Sequence, residues 1–243
     1  MAIYHVKTKT YIRSKLKMKR LIVLLPVMLL IIVSCAKQYP LTVADVAPNL
    51  AQFSESHNWG FTDEGGFVEY IQIGDPTFDN FFKTAAKLDG LVIVAQAMTQ
   101  STTGTLKKYA MSKASNEVLK ESISEVVGDT KPENYTTEQS IAVMKLAKGQ
   151  NEVSADETKF FVETTLSLGI GVVALGKGVN ETVNLLKEGA NLLKNVKSTK
   201  PWLIPAATKG LKGTVENLKG VKNNAPKTLE EMKVLLEGFK ALN

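Results

Sequence analysis

Apolar residues recur along most of this chain at intervals of three and four, the spacing that gathers them on one face of an α-helix. From Asp75-Pro76 onward, Phe78, Phe81, Phe82, Ala85, Leu88 and Val92 form such a stripe and predict a helix to about Thr99. Asp75 is a suitable N-cap and Pro76 suits the first helical position. Gly90 weakens this helix, since an interior glycine costs about 1 kcal/mol relative to alanine. Ser112 to Val127 predicts a second helix, broken by Gly128-Asp129-Thr130-Lys131-Pro132. Thr136 with Gln139 opens a third, which Gly149 ends, and Ser154 with Glu157 opens a fourth, through Phe160, Phe161, Thr164, Leu168 and Val172 to about Leu175. After a break at Gly176 to Gly178, Val179, Val183, Leu186, Ala190, Leu193 and Val196 mark another. Pro201 and Pro205 interrupt, a weaker helix covers Ala206 to Leu218, and Thr228 with Glu231 opens a terminal one.

The stretch before Asp75 differs. Ala36 to Pro40 reads as a tether, and residues 41–75 are irregular, with Pro48, Gly60, Gly65, Gly66 and Gly74. Phe67 to Ile73 is aromatic and β-branched, which predicts a short strand paired with His57 to Phe61. The expected fold is mainly α, a bundle of six or seven helices joined by short loops, with a small irregular or β segment near its start. Gly90 to Met98 and Thr164 to Gly176 are the least polar stretches and the expected central partners. No repeat of fixed length is present.

One apolar run has no helical stripe. Residues 1–20 carry seven cations and no acid, and Leu21 to Val33 is uncharged. A basic start, a short apolar run and a small residue after it make an export signal. The run is shorter than the ~20 residues of a bilayer-spanning helix. Ile32-Val33-Ser34-Cys35 resembles the lipobox of bacterial lipoproteins, with Ile32 in place of the commoner leucine and Val33 larger than the usual alanine or serine. The resemblance covers the leader and Cys35 alone. It implies that Cys35 is diacylated on sulfur, that residues 1–34 are removed, and that the new amino group is acylated. Met18-Lys19-Arg20 offers an alternative start with a compact leader. The expected organisation is a signal peptide over 1–34, a lipidated tether and irregular segment over 35–75, and a helical domain over 76–243. In the lipoprotein sorting pattern Ala36 is compatible with the outer membrane of a two-membrane host.

The leader changes the meaning of the charge. The whole chain has 30 Lys and Arg against 24 Asp and Glu, a net of +6. The leader takes seven of those cations, which leaves 23 lysines against 24 acids from Cys35 onward, a net of −1. Both arginines lie in the leader, so the bidentate fork that reads phosphate and guanine is missing from the rest. No nucleic-acid partner is expected. The charge is uneven, at −5 over residues 35–89, −2 over 90–176 and +6 over 177–243. Either the two ends are simply solvated or packed together, or the lysine-rich part touches anionic lipid or another envelope polymer.

Candidate chemistry is sparse. With the sole cysteine, Cys35, taken by lipid, no thiol remains for disulfides, metal or nucleophilic attack. His57, near Trp59, Asp63 and Glu64, is the one place where a metal or acid–base site can be sketched, and one histidine does not define a metal geometry. It reads better as a structural histidine. Gly171 to Gly178 nearly spells a phosphate-binding loop, but Gly178 stands where a hydroxyl is needed. Gly169 to Ala174 matches a dinucleotide pattern with Glu188 downstream, without a βαβ context. Close helix packing accounts for these glycines more simply, and a small-residue face for self-association in membrane is a third reading. No hydrolase elbow, metalloprotease motif or catalytic carboxylate pair is present, so no enzyme, cofactor or metal is expected. The expectation is an exported, lipid-anchored, non-catalytic module, held to the membrane through Cys35, that binds another envelope protein. The alternative is a carrier of a lipid or other apolar ligand between amphipathic helices.

Overall fold

The computed structural model describes residues 36–61 and 66–243. The expected lipobox residues Ile32, Val33, Ser34 and Cys35, the alternative start at Met18, and Asp63 and Glu64 lie outside them. The fold is mainly α, with seven α-helices and a two-stranded sheet among the described residues. In order these are β1 (Lys37–Leu41), α1 (Val43–Val46), α2 (Pro48–Ser56), β2 (Val68–Gln72), α3 (Pro76–Ala114), α4 (Lys120–Val127), α5 (Thr137–Gly149), α6 (Ala155–Asn195) and α7 (Ile204–Lys240).

Three long helices make the frame. At 1.5 Å per residue, α3, α6 and α7 are each about 55–60 Å long. Lys113 meets Glu157, Met98 faces Gly171, Leu88 faces Gly178 and Phe81 faces Gly189, so α3 and α6 run antiparallel. Phe239 packs on Phe161, Met232 on Gly171 and Val215 on Gly189, so α7 runs antiparallel to α6 and parallel to α3. The expected pairing of the two least polar stretches is realised at Met98 and Gly171. A Cβ at Gly189 would lie 2.7 Å from Val215 and 2.8 Å from Phe81, so the missing side chain sets the approach of three helices. Helix α5 lies on α3, and α4 on α5. Gly128, at φ 61°, ends α4 as the sequence predicts.

Several expectations are corrected. The tether Ala36 to Pro40 becomes β1, and the partner of β2 is β1, with Lys37 opposite Gln72 and Leu41 opposite Val68. His57 to Phe61 is not a strand; it is the turn that leaves α2. The predicted helix ends near Thr99 and at Gly176 to Gly178 do not occur, because α3 and α6 continue through them with one buried face. Thr228 does not start a helix. Its hydroxyl donates to the Asn224 carbonyl at 3.1 Å inside a continuous α7 that also contains Pro226. The second predicted helix begins at Lys120, after a turn in which the Asn116 side chain accepts from the Val118 N–H at 2.9 Å.

The segment before α3 shares the core of the bundle. Val43, Leu50, Phe53 and Trp59 are buried with the long helices in one apolar cluster. A reciprocal capping box between Thr42 and Asp45 starts α1, and Pro48 starts α2 directly after Ala47. The resulting corner brings Val46 onto α3 at Gly90, where an added Cβ would sit 3.0 Å from Val46.

Candidate functional site

Helix α6 is unusually apolar for a surface-bearing helix. Its core-facing positions Phe161, Leu168, Leu175 and Leu185 are buried, as an amphipathic helix requires. The opposite side is apolar too. Val162, Leu166 and Val173 are 54%, 56% and 59% exposed, and no charge interrupts Thr164 to Gly176. Ala155–Ser198 is the one described helix long and apolar enough to cross a membrane by length and composition, yet only 33% of its most apolar stretch is buried in the fold.

This exposed side lies in a groove. The α1–α2 corner, from Val46 to Leu50, forms one wall, and Leu236 and Lys240 of α7 form the other. Thr165, Leu166, Gly169, Ile170, Val173, Ala174 and Lys177 of α6 form the floor. The groove has a volume of about 790 Å³. A side chain at Gly169 would meet nothing within 4 Å, so the floor is open there. Lys177 of the floor and Asn49 and Lys240 of the walls are exposed, so their polar ends form the lip. The Lys240 ammonium donates to Glu237 at 2.8 Å on the exposed surface, and Lys177 pairs with no carboxylate among the described residues. The groove therefore combines apolar walls with a cationic rim.

No family model, curated protein or solved structure matches this chain.

A second cleft, of about 890 Å³, opens between α3, the start of α5 and α7. Its walls mix Lys107 and Lys227 with Glu138, Glu230 and Glu231, and also include the apolar Val234 and Leu235. Backbone and Thr136 hydrogen bonds at the start of α5 hold the Glu138 carboxyl below its ordinary value. A third, of about 210 Å³, lies between the sheet, α3 and α7 and contains Asp89, whose carboxyl burial pushes up.

His57 lies among aromatic rings. Its ring lies 5.7 Å from Phe160, 5.9 Å from Phe53 and 6.3 Å from Trp59, centroid to centroid. The Ser101 hydroxyl donates to its backbone carbonyl at 2.6 Å, which ties the end of α2 to α3. Desolvation holds the imidazole below its ordinary value, against a smaller pull from Glu163. Among the described residues no group of three or more His, Cys, Asp or Glu could hold a metal ion. Phe81, Phe82 and Phe161 are core residues, and Phe160 packs edge-on against Tyr109, Phe161 and Phe239. The phosphate-loop look-alike is the middle of α6, where Gly171 and Gly178 face Met98 and Leu88. Glu188 is exposed on the same helix, two turns from its end.

Sequence reasoning missed the groove. Thr164 to Gly176 reads as a buried segment, and the signal of a second exposed side was that apolar residues surround the helix instead of forming one stripe.

Proposed function

We propose that the chain is an exported lipoprotein, anchored through lipid at Cys35, whose helical domain is a non-catalytic interaction module for another envelope protein. In a two-membrane host Ala36 favours the outer membrane. The observation that carries this reading is the open apolar groove on α6, with Leu166 and Val173 exposed on its floor side. Such a groove suits an amphipathic helix of a partner, whose apolar positions three and four apart would cover the floor. Lys177 and Lys240 at the lip favour carboxylates on its flank.

A photo-crosslinker at Leu166, introduced in the native host, tests it. The expected product is a defined envelope protein joined through an amphipathic, acid-flanked helix, and Leu166→Asp with Val173→Asp should abolish it without unfolding the domain. A crosslinker that finds only lipid would sink the protein-partner reading. The second reading, a carrier of an apolar ligand, draws on the groove's volume, which falls in the range of about 300–1,000 Å³ typical of small-molecule sites. Lipid near one per chain in native mass spectrometry of the purified protein would favour it. The anchor has its own test. Cys35→Ser should stop incorporation of labelled fatty acid and release the protein from membrane; continued labelling would refute lipidation at Cys35.

A further inference from the structure

We infer that the end of the bundle formed by Gly189 to Val215 is a membrane-contact surface for anionic lipid headgroups, with Trp202 at the interface. This rests on the reading that Cys35 carries the lipid, and it adds which end of the molecule meets the bilayer.

Three observations converge on that end. Gly189 to Val215 contains Lys194, Lys197, Lys200, Lys209 and Lys212 and no acid. All five lysines are exposed, and none pairs with a carboxylate among the described residues. The same turn presents Trp202, 45% exposed, with the Lys200 ammonium 5.9 Å from its ring centre. Pro201 and the buried Leu203 fix the turn that carries it. Tryptophan beside lysine is the pairing that membrane–water interfaces favour, since the indole has an apolar body and a polar edge.

The third observation is where the chain enters the fold. Lys37 pairs with Gln72, three residues before Asp75, and the Asp75 carboxylate accepts from the Thr199 hydroxyl at 3.1 Å. Strand β1 thus starts near the α6–α7 connection. One residue, Ala36, separates Cys35 from Lys37, so the two lie within a reach of about 7 Å. A bilayer that holds lipid at Cys35 must lie against this end, where Lys37 adds a further cation.

The acids nearby do not cancel the field. Asp75, Asp79, Glu69 and Glu188 set four negative charges against the six positive ones of Lys37 and the five lysines. Glu69 and Glu188 flank the surface. At the far end, about 55 Å away along the helices, Ser115 to Glu157 carries nine acids and four lysines. The molecule is polarised along its length, which orients the basic end toward an anionic surface.

The test uses the full chain, produced in a lipoprotein-processing bacterium and reconstituted into vesicles of phosphatidylethanolamine and phosphatidylglycerol with brominated acyl chains. Trp59 is buried and Trp202 exposed, so bromine should quench Trp202 selectively. Trp202→Phe should remove the quenched component. Lys197→Gln with Lys200→Gln should shift the tip off the interface, by about fivefold in its binding equilibrium for each lysine. Vesicles that hold the chain yet leave Trp202 unquenched would overturn the inference and leave the anchor standing. Equal quenching in phosphatidylcholine vesicles would overturn the assignment to anionic lipid. If the chain carries no fatty acid, the anchor reading fails, and the Trp202 quenching still decides the tip.

Discussion

At the scale of single residues, the glycines of α6 divide into two kinds that identical substitutions should separate. A methyl at Gly189 would press on Phe81 and Val215, neighbours held by their own packing. Gly189→Ala should therefore cost about 1–3 kcal/mol through overpacking. Gly176 meets nothing within 4 Å, so Gly176→Ala should add about 1 kcal/mol by helix propensity alone. Urea unfolding of both variants checks the pair. A second residue-scale prediction concerns Glu157. One carboxylate oxygen accepts both from the Ser154 N–H at 2.7 Å and from the Lys113 ammonium at 2.9 Å, with the pair largely out of water. Lys113→Met leaves that carboxylate buried and short of a partner, and should cost about 3–5 kcal/mol. His57 gives a pH signature. Its folded-state pKa lies below the ordinary 6.5, so below that pH the unfolded chain binds a proton that the folded chain refuses. Stability should be full above about pH 6.5 and fall as the pH drops toward the folded value. In His57→Phe that segment of the pH–stability curve should be flat, measured by thermal unfolding between pH 7 and 5.

At the scale of elements, local rules located helix starts better than helix ends. The capping boxes at Thr136 and Ser154 and the N-cap at Asp75 open helices where the sequence places them, because each satisfies backbone donors that nothing else reaches. The box at Thr228 fails because the chain is already helical there: Val221, Ala225 and Thr228 are buried on the face that α7 presents to its neighbours. Tertiary burial outweighs the local signal, and it also holds Pro226 within the helix. Pro226 is exposed and cannot donate to the Lys222 carbonyl, so Pro226→Ala should stabilise the protein by as much as about 3 kcal/mol, read from its denaturation midpoint. The glycines at 176 and 178 misled in the same direction, since Gly178 is a close-packing residue and not a stop. Strand β1 escaped notice because Pro40 and two polar residues gave it no alternating pattern. Its pairing depends on β2, which is more than twenty residues away.

At the scale of the whole molecule, a mainly α bundle was legible from apolar spacing, whereas the groove was not. The groove exists because the α1–α2 corner stands off the apolar back of α6, and no periodicity in either segment encodes that separation. Its exposure makes a solubility prediction. Leu166→Glu with Val173→Glu should leave the unfolding free energy within about 0.5 kcal/mol, as for other surface changes, and should lower self-association of the detergent-free protein in sedimentation velocity.

Tension applied to the chain ahead of Lys37 enters the fold through β1, the edge partner of a two-stranded ladder. The ladder runs from Lys37 at the basic end to Leu41 beside the α1 cap, and β2 is continuous with the turn into α3. A pull directed out of the basic end acts along the strand and loads the inter-strand bonds in shear, together, where a sideways pull would peel them one by one. The two-stranded sheet, slight as a contributor to the core, is thus placed to carry such a load into the helical body as a mechanical clamp.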